Sequence, residues 1–106
     1  MLTDGMNLET AAATTTVVIV LDGDTDAGYR TARKLLAEGC RVAVAARHPA
    51  DVVRVMHGYP AEQVMVIAAD IADQRQWRCV TERVTERFGH IDTVMCGEAP
   101  ALRASA

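Results

Sequence analysis

The feature that most constrains this chain is a run of apolar, mostly β-branched residues that leads through a short acidic loop into a helical pattern. The apolar run covers Thr16–Leu21, and apolar positions recur at helical spacing from Ala27 to Glu38. A strand that is apolar at nearly every position is buried on both faces, which is typical of parallel sheets covered by helices. Because the first turn of a helix presents backbone N–H groups, such a strand–loop–helix passage is also where α/β proteins hold phosphate groups.

Three further apolar runs alternate with helical patterns along the rest of the chain. They cover Arg41–Ala46, Val64–Ala69 and Ile91–Cys96. Strands that alternate with helices form a parallel sheet with right-handed crossovers. The sequence therefore predicts an α/β protein with a Rossmann-like half, in which a four-stranded parallel sheet of order 3-2-1-4 carries helices on both faces.

Two further helices are predicted between these strands. A weak one opens at His48 and runs to Met56, ahead of Gly58. A stronger one has Asp73 as its N-cap, with Gln76 placed to reach back to that residue. Its apolar stripe, which we expect to face the core, comprises Trp77, Val80, Val84 and Phe88.

Composition narrows the class of protein. With 106 residues and a net charge of −3, the chain is long enough for one domain and carries no basic surface for nucleic acid. No segment has the roughly 18 apolar residues of a membrane span. The three cysteines lack metal-ligand spacing, so we expect free thiols in the cytoplasm and no metal site. The predicted organisation is a flexible tail over residues 1–14, the domain over residues 15–99 and a second tail over residues 100–106.

The loop after the first strand contains Asp22, Asp24 and Asp26, where a phosphate site would have glycines. One interpretation is a phosphate loop whose binding is altered or lost, because a carboxylate about 5 Å from a phosphate costs about 3 kcal/mol at an effective dielectric of 20. A second is a divalent cation held by the three aspartates, which then binds phosphate, although the later positions of an EF-hand are missing. A third is a faint resemblance to haloacid dehalogenases, which lacks the threonine that their motif requires.

Several segments together resemble the amino-terminal half of the short-chain dehydrogenase/reductase family. The segments are LLAEGCRVAVAAR, AADIAD and RFGHIDTVM. In register, the family's Thr-Gly-x-x-x-Gly-x-Gly motif falls on residues 21–28, where Asp22 and Asp26 replace the first two glycines and only Gly28 is kept. The Asn-Asn-Ala-Gly motif falls on residues 96–99, with no position kept. The resemblance covers about four-fifths of the chain.

This resemblance implies an oxidoreductase-related, NAD(P)-binding domain. Asp70 takes the place of the residue that accepts a hydrogen bond from the adenine amino group, and Ile71 offers its backbone there. Arg47 stands where the family places a base for the 2′-phosphate of NADP, and Ala46 lacks the carboxylate that holds a free ribose hydroxyl, so NADP is favoured over NAD, with weakened or lost binding. The candidate cofactor-binding residues are Gly23, Asp24, Thr25, Ala27, Gly28, Arg47, Asp70, Ile71 and Gly97.

The family's catalytic serine and Tyr-x-x-x-Lys pair have no counterpart in these residues. Tyr29 and Tyr59 are followed four positions later by Arg33 and Gln63, and Lys34 is the single lysine. We therefore expect no catalysis by this chain alone.

An alternative is a protein that binds a partner or forms a homo-oligomer through its exposed sheet. Val94 and Met95 are expected at an uncovered edge of that sheet, while Cys96 is interpreted as a small core residue.

Overall fold

The computed structural model of the protein describes residues 15–48, 50, 52–96 and 99–100. Its elements are β1 (Val17–Leu21), α1 (Asp26–Ala37), β2 (Arg41–Ala46), a 3-10 helix (Val53–Met56), β3 (Val64–Ala68), α2 (Gln74–Phe88), β4 (Thr93–Cys96) and β5 (Ala99–Pro100). The predicted tail over residues 1–14 lies outside the described residues, as do residues 101–106 of the second predicted tail. Neither α1 nor α2, the α-helices of the described ranges, has the length and apolar character needed to span a bilayer.

The sheet has the predicted core of four parallel strands with one addition at its edge. Its order is β3-β2-β1-β4-β5, so the predicted order 3-2-1-4 is confirmed. The addition is β5, which pairs antiparallel with β4 through Met95↔Pro100 and Cys96↔Ala99. The expectation of an uncovered edge at Met95 is therefore wrong. A two-residue strand is too short for any periodicity, which is why the sequence pattern did not indicate it.

The core lies on both sides of β1, whose five residues are all buried. Because successive side chains of a strand point to opposite faces, Val17, Ile19 and Leu21 pack with α2, while Val18 and Val20 pack with α1. Helices thus cover both faces of the sheet, as the continuous apolar runs predicted. On the α2 side, Val80, Val84 and Phe88 are buried, and Trp77 is partly buried against them.

The start of α2 differs from its prediction in one hydrogen bond. Asp73 is the N-cap, and its Oδ1 accepts the N–H of Arg75 at 2.9 Å. Gln76 reaches back to the side chain of Asp73, since its Nε2 donates to Oδ2 of Asp73 at 3.5 Å. It does not bond the N–H of Asp73, because that group donates to the carbonyl of Asp70 at 3.0 Å. Oε1 of Gln76 accepts the N–H of Asp70 at 2.7 Å. Gln76 therefore stabilises the turn between β3 and α2.

The helix in the crossover between β2 and β3 is shorter than predicted, since the 3-10 helix Val53–Met56 takes the place of a helix from His48 to Met56. Two arginine–tyrosine pairs hold this crossover against α1. The guanidinium of Arg33 on α1 lies 5.0 Å from the ring centre of Tyr59, and that of Arg54 lies 4.1 Å from the ring centre of Tyr29 on α1. Arg33 also donates to the carbonyl of His57 at 2.6 Å. Each segment thus contributes one cation and one ring.

Two valines of the 3-10 helix make a matched pair for testing this packing. Val55 is fully buried, whereas Val53 is 55% exposed. We expect Val55→Ala to lower the free energy of unfolding by about 2 kcal/mol, because it removes buried methyl groups and leaves a cavity. Val53→Ala should change it by less than about 0.5 kcal/mol. Urea unfolding with an unchanged m-value measures both; equal losses would show that the 3-10 helix does not pack as described.

Candidate functional site

The carboxyl ends of β1, β2 and β3 meet in a cleft of about 330 Å³. Four of the predicted site residues line it together, namely Asp24, Arg47, Asp70 and Ile71. The remaining lining residues are Asp22, which follows β1, and the alanines Ala45, Ala46, Ala69 and Ala72. The cleft therefore has a small-residue floor, with one cation and three carboxylates around it.

The loop between β1 and α1 is shaped by two glycines, Gly23 and Gly28, neither of which lines the cleft. An ideal Cβ on Gly23 would lie 2.0 Å from Cγ1 of Val44, and one on Gly28 would lie 2.2 Å from the carbonyl oxygen of Asp22. Both positions therefore exclude any side chain. Asp22 itself has a φ of 56°, a left-handed conformation that aspartate tolerates better than most residues. Aspartate therefore occupies this glycine position of the motif with the left-handed backbone that the turn uses.

The hydroxyl of Thr25 caps the amino-terminal end of α1. It donates to the carbonyl of Asp22 at 2.7 Å and accepts the N–H of Gly28 at 3.1 Å. Thr25 is the N-cap, and Ala27 follows in the first turn, partly buried. The structure places neither of these predicted site residues in the lining of the cleft. One of the N–H groups that a phosphate at this helix start would use already has a partner.

Asp70 is held in a defined turn at the end of β3. Its Oδ1 accepts the N–H of Ala72 at 3.1 Å, and its own N–H donates to Gln76 as described above. The side chain of Ile71 is partly buried against the cluster on the α2 side of the sheet. The backbone at this rim of the cleft is therefore fixed before any ligand arrives.

A contact that the sequence did not indicate joins the ends of β1 and β4. The thiol of Cys96 donates a hydrogen bond to Oδ2 of Asp22 at 3.2 Å. Leu21 and Cys96 are paired in the sheet, so the order 3-2-1-4 already brings these strand ends together. Cys96 is exposed, and its interpretation as a small core residue is wrong. Gly97, the last predicted site residue, lies outside the described residues.

The described residues give little support to a metal site. Among them, no group of three or more His, Cys, Asp or Glu side chains is arranged to hold a metal ion, and this includes the three loop aspartates. None of the cysteines forms a disulfide. Burial, with the charges of Glu38 and Asp92, raises the pKa of the Cys40 thiol above its ordinary value, so this thiol stays protonated at neutral pH.

Comparison with known proteins identifies the family of this chain. The sequence profile of short chain dehydrogenases matches residues 16–99. The chain belongs to the short chain dehydrogenase family. It is 31% identical over 87 residues to levodione reductase of Leifsonia aquatica, a match that covers 78% of this chain and 33% of that protein. It is 29% identical over 79 residues to ipsdienol dehydrogenase of Ips pini, with 74% and 29% of the two chains covered.

Solved structures of short chain dehydrogenases have the same fold. The crystal structure of levodione reductase matches with a TM-score of 0.65 and 30% identity, covering 74% of this chain and 32% of that chain. A short-chain dehydrogenase from Streptomyces avermitilis matches with a TM-score of 0.70 and 23% identity, covering 76% and 30%. The chain thus spans about a third of the length of the curated relatives that it matches. Members of the family bind NAD or NADP.

The cap on α1 gives a test of the loop geometry. We expect Thr25→Ala to lower the free energy of unfolding by about 1 kcal/mol, because the N–H of Gly28 loses its acceptor and the carbonyl of Asp22 loses a donor. Thr25→Ser keeps the hydroxyl and should cost less than about 0.5 kcal/mol. Chemical denaturation measures both losses. A Thr25→Ser variant as unstable as Thr25→Ala would show that the methyl group, not the hydroxyl, stabilises this loop.

Proposed function

We propose that this chain binds the adenosine end of NADP, in preference to that of NAD, in the cleft between β1, β2 and β3. The observation that carries this proposal is that Arg47 lines the same cleft as Asp70 and Ile71. Arg47 follows β2, between the loop after β1 and the turn after β3. This arrangement supports a ligand that presents a base at the β3 end of the cleft and an anion above β2.

Charge and hydrogen bonding favour a 2′-phosphate at Arg47. A guanidinium forms two parallel hydrogen bonds to phosphate oxygens, and charge-assisted bonds of this kind are stronger than neutral ones. The preceding position, which would hold a carboxylate in an NAD-specific site, is the buried Ala46. Asp70 retains a carboxylate oxygen beyond the one that accepts Ala72, and this oxygen suits the amino group of adenine.

The carboxylates of the acidic loop lower the affinity of the cleft for the pyrophosphate of the dinucleotide. Asp22 and Asp24 line the cleft, and both are exposed. At about 5 Å, each carboxylate opposes a phosphate charge by between about 1 kcal/mol in water and about 3 kcal/mol at a dielectric of 20. Two such carboxylates are enough to reduce a micromolar affinity to a millimolar one. We infer that NADP binding is weak.

Hydride transfer by these residues alone is not part of the proposal. The sequence has no Tyr-x-x-x-Lys pair, since Arg33 and Gln63 occupy the positions four residues after the two tyrosines. The proposed role is therefore that of a nucleotide-binding domain.

Three cysteines without a disulfide support a reducing compartment such as the cytoplasm.

The test of this proposal is the discrimination between NADP and NAD by Arg47. Titration of ¹⁵N-labelled protein, followed by NMR, measures affinities in the millimolar range and locates the contact residues. We expect NADP to bind at least about tenfold more tightly than NAD, because only NADP carries the 2′-phosphate. Arg47→Ala should remove that difference by weakening NADP and leaving NAD within about twofold. Shifts should concentrate at residues 45–47 and 69–72.

The matched control is Arg78→Ala, because Arg78 is an exposed arginine on α2 that does not line the cleft. This variant should bind both nucleotides as the wild type does. Equal weakening by the two arginine variants, or equal affinity of the wild type for NADP and NAD, contradicts the proposed role of Arg47.

We further propose that a second copy of the chain pairs with the outer edge of the sheet. Within the described residues, β5 covers only Met95 and Cys96 of β4, and strand edges with unpaired backbone groups favour pairing with another chain. The expected assembly is a homodimer joined by strand addition at this edge.

Light scattering across a concentration series tests this assembly. We expect a dimer whose formation increases the protection of the β4 amide groups in hydrogen exchange, while protection of the interior strand β2 stays unchanged. A monomer at every concentration, with β4 protection independent of concentration, would contradict the proposal.

A further inference from the structure

The strand order places a crevice between β1 and β4. From β1 the chain proceeds to β2 and then β3, which lie on one side of β1 within the sheet. It then reaches β4, which lies on the other side of β1. In open parallel sheets, a ligand that extends over both halves crosses the sheet where the strand order reverses, at the carboxyl ends of the strands. In this chain that crossing point lies between Leu21 and Cys96, which are paired in the sheet.

A side-chain contact spans this crevice. The thiol of Cys96 donates to Oδ2 of Asp22 at 3.2 Å, so a hydrogen bond joins the two side chains across the strand ends. Asp22 is the residue directly after β1, and its backbone is left-handed. A dinucleotide that passes from the β1 side to the β4 side would have to displace this pair, and its pyrophosphate would approach a carboxylate.

Charge along the cleft changes sign from one strand to the next. In the order β3, β2, β1, the strand ends present the hydrogen-bond acceptor Asp70, then the cation Arg47, then the anions Asp22 and Asp24. Neighbouring strands lie about 4.8 Å apart, so these three positions span about 10 Å. A ligand that fits this sequence of groups has a base at one end, an anion in the middle and no negative charge at the other end.

We propose that the preferred ligand of this cleft is a mononucleotide, an adenosine with a phosphate at its 2′ position and an uncharged 5′ end, and not a dinucleotide. This inference rests on the proposed function and narrows its ligand class. The base lies at Asp70 and Ile71, and the 2′-phosphate lies at Arg47. The 5′-hydroxyl, which is neutral, donates to a carboxylate of the β1 loop, whereas a 5′-phosphate at the same place meets two negative charges.

A series of ligands with increasing charge at the 5′ end tests the proposal. The probes are adenosine 2′-monophosphate, adenosine 2′,5′-bisphosphate and NADP, with adenosine 5′-monophosphate as the isomer control. NMR titration of the full chain gives each dissociation constant. We expect affinity to fall along the series, with adenosine 2′-monophosphate at least about tenfold tighter than NADP and the 5′-isomer weakest.

Removal of the loop charges should selectively reduce the difference in affinity between adenosine 2′-monophosphate and NADP. In the double variant Asp22→Asn/Asp24→Asn, we expect NADP to gain at least about tenfold in affinity while adenosine 2′-monophosphate changes by less than about threefold. Asparagine tolerates the left-handed conformation of position 22, so the loop keeps its shape. The control Glu82→Gln/Glu86→Gln removes the same charge from exposed positions on α2 and should leave both affinities unchanged.

The outcomes separate this inference from the proposed function. Binding of NADP at least as tightly as adenosine 2′-monophosphate to the wild type overturns the mononucleotide preference and leaves the proposed function standing. Failure of every 2′-phosphorylated probe to bind overturns both. An equal gain in NADP affinity in the α2 control variant would attribute the effect to net charge and also overturn the inference.

Discussion

The burial of β1 on both faces is the constraint on which the rest of the structure depends. This strand pairs with β2 on one side and β4 on the other, and its five side chains alternate between the two clusters of the core. Residues of β1 belong to both core clusters, the one that packs with α1 and the one that packs with α2. Because β1 also ends at the acidic loop, the same strand that organises the core sets the position of Asp22 at the cleft. The core and the cleft therefore depend on the same strand, because β1 is buried in the core and the residue that follows it lines the cleft.

The elements that carry a strong pattern could be predicted from the sequence, and those whose stability comes from tertiary contacts could not. The apolar runs predicted all four parallel strands and their order, with ends correct to within two residues. The patterns could not predict β5, which is only two residues long, or the bond from Gln76 to Asp70, because this bond depends on a turn that uses the N–H of Asp73. At the site, the family resemblance predicted Asp24, Arg47 and Asp70 as cofactor-binding residues, and the structure places all three in the lining of one cleft. The contact of Cys96 with Asp22 joins residues 74 positions apart, and no local pattern indicates it.

The acidic loop separates two roles that glycine combines in a phosphate-binding turn. Gly28, the motif glycine that this chain keeps, is where a Cβ would collide with the backbone. The replaced motif positions tolerate a side chain: Asp22 adopts a left-handed conformation, and Asp26 is the first residue of α1. A carboxylate at the first turn of a helix is also favourable to the helix itself. The loop therefore keeps the glycine that its backbone requires, and the two replaced positions carry side chains that the turn tolerates.

The pairing of β4 with β1 also shapes how the chain folds. β1, β2 and β3 pair with partners about two dozen residues away, whereas the N–H of Val17 bonds to the carboxylate of Asp92 across 75 residues of sequence. Closing the longer loop costs more chain entropy, and contacts of this range form slowly. The three-stranded unit is therefore expected to form first, with the inner edge of β1 open until β4 docks. During that interval a hydrophobic strand edge at the centre of the future sheet is accessible to other chains, and the yield of native protein depends on how fast its last parallel strand arrives.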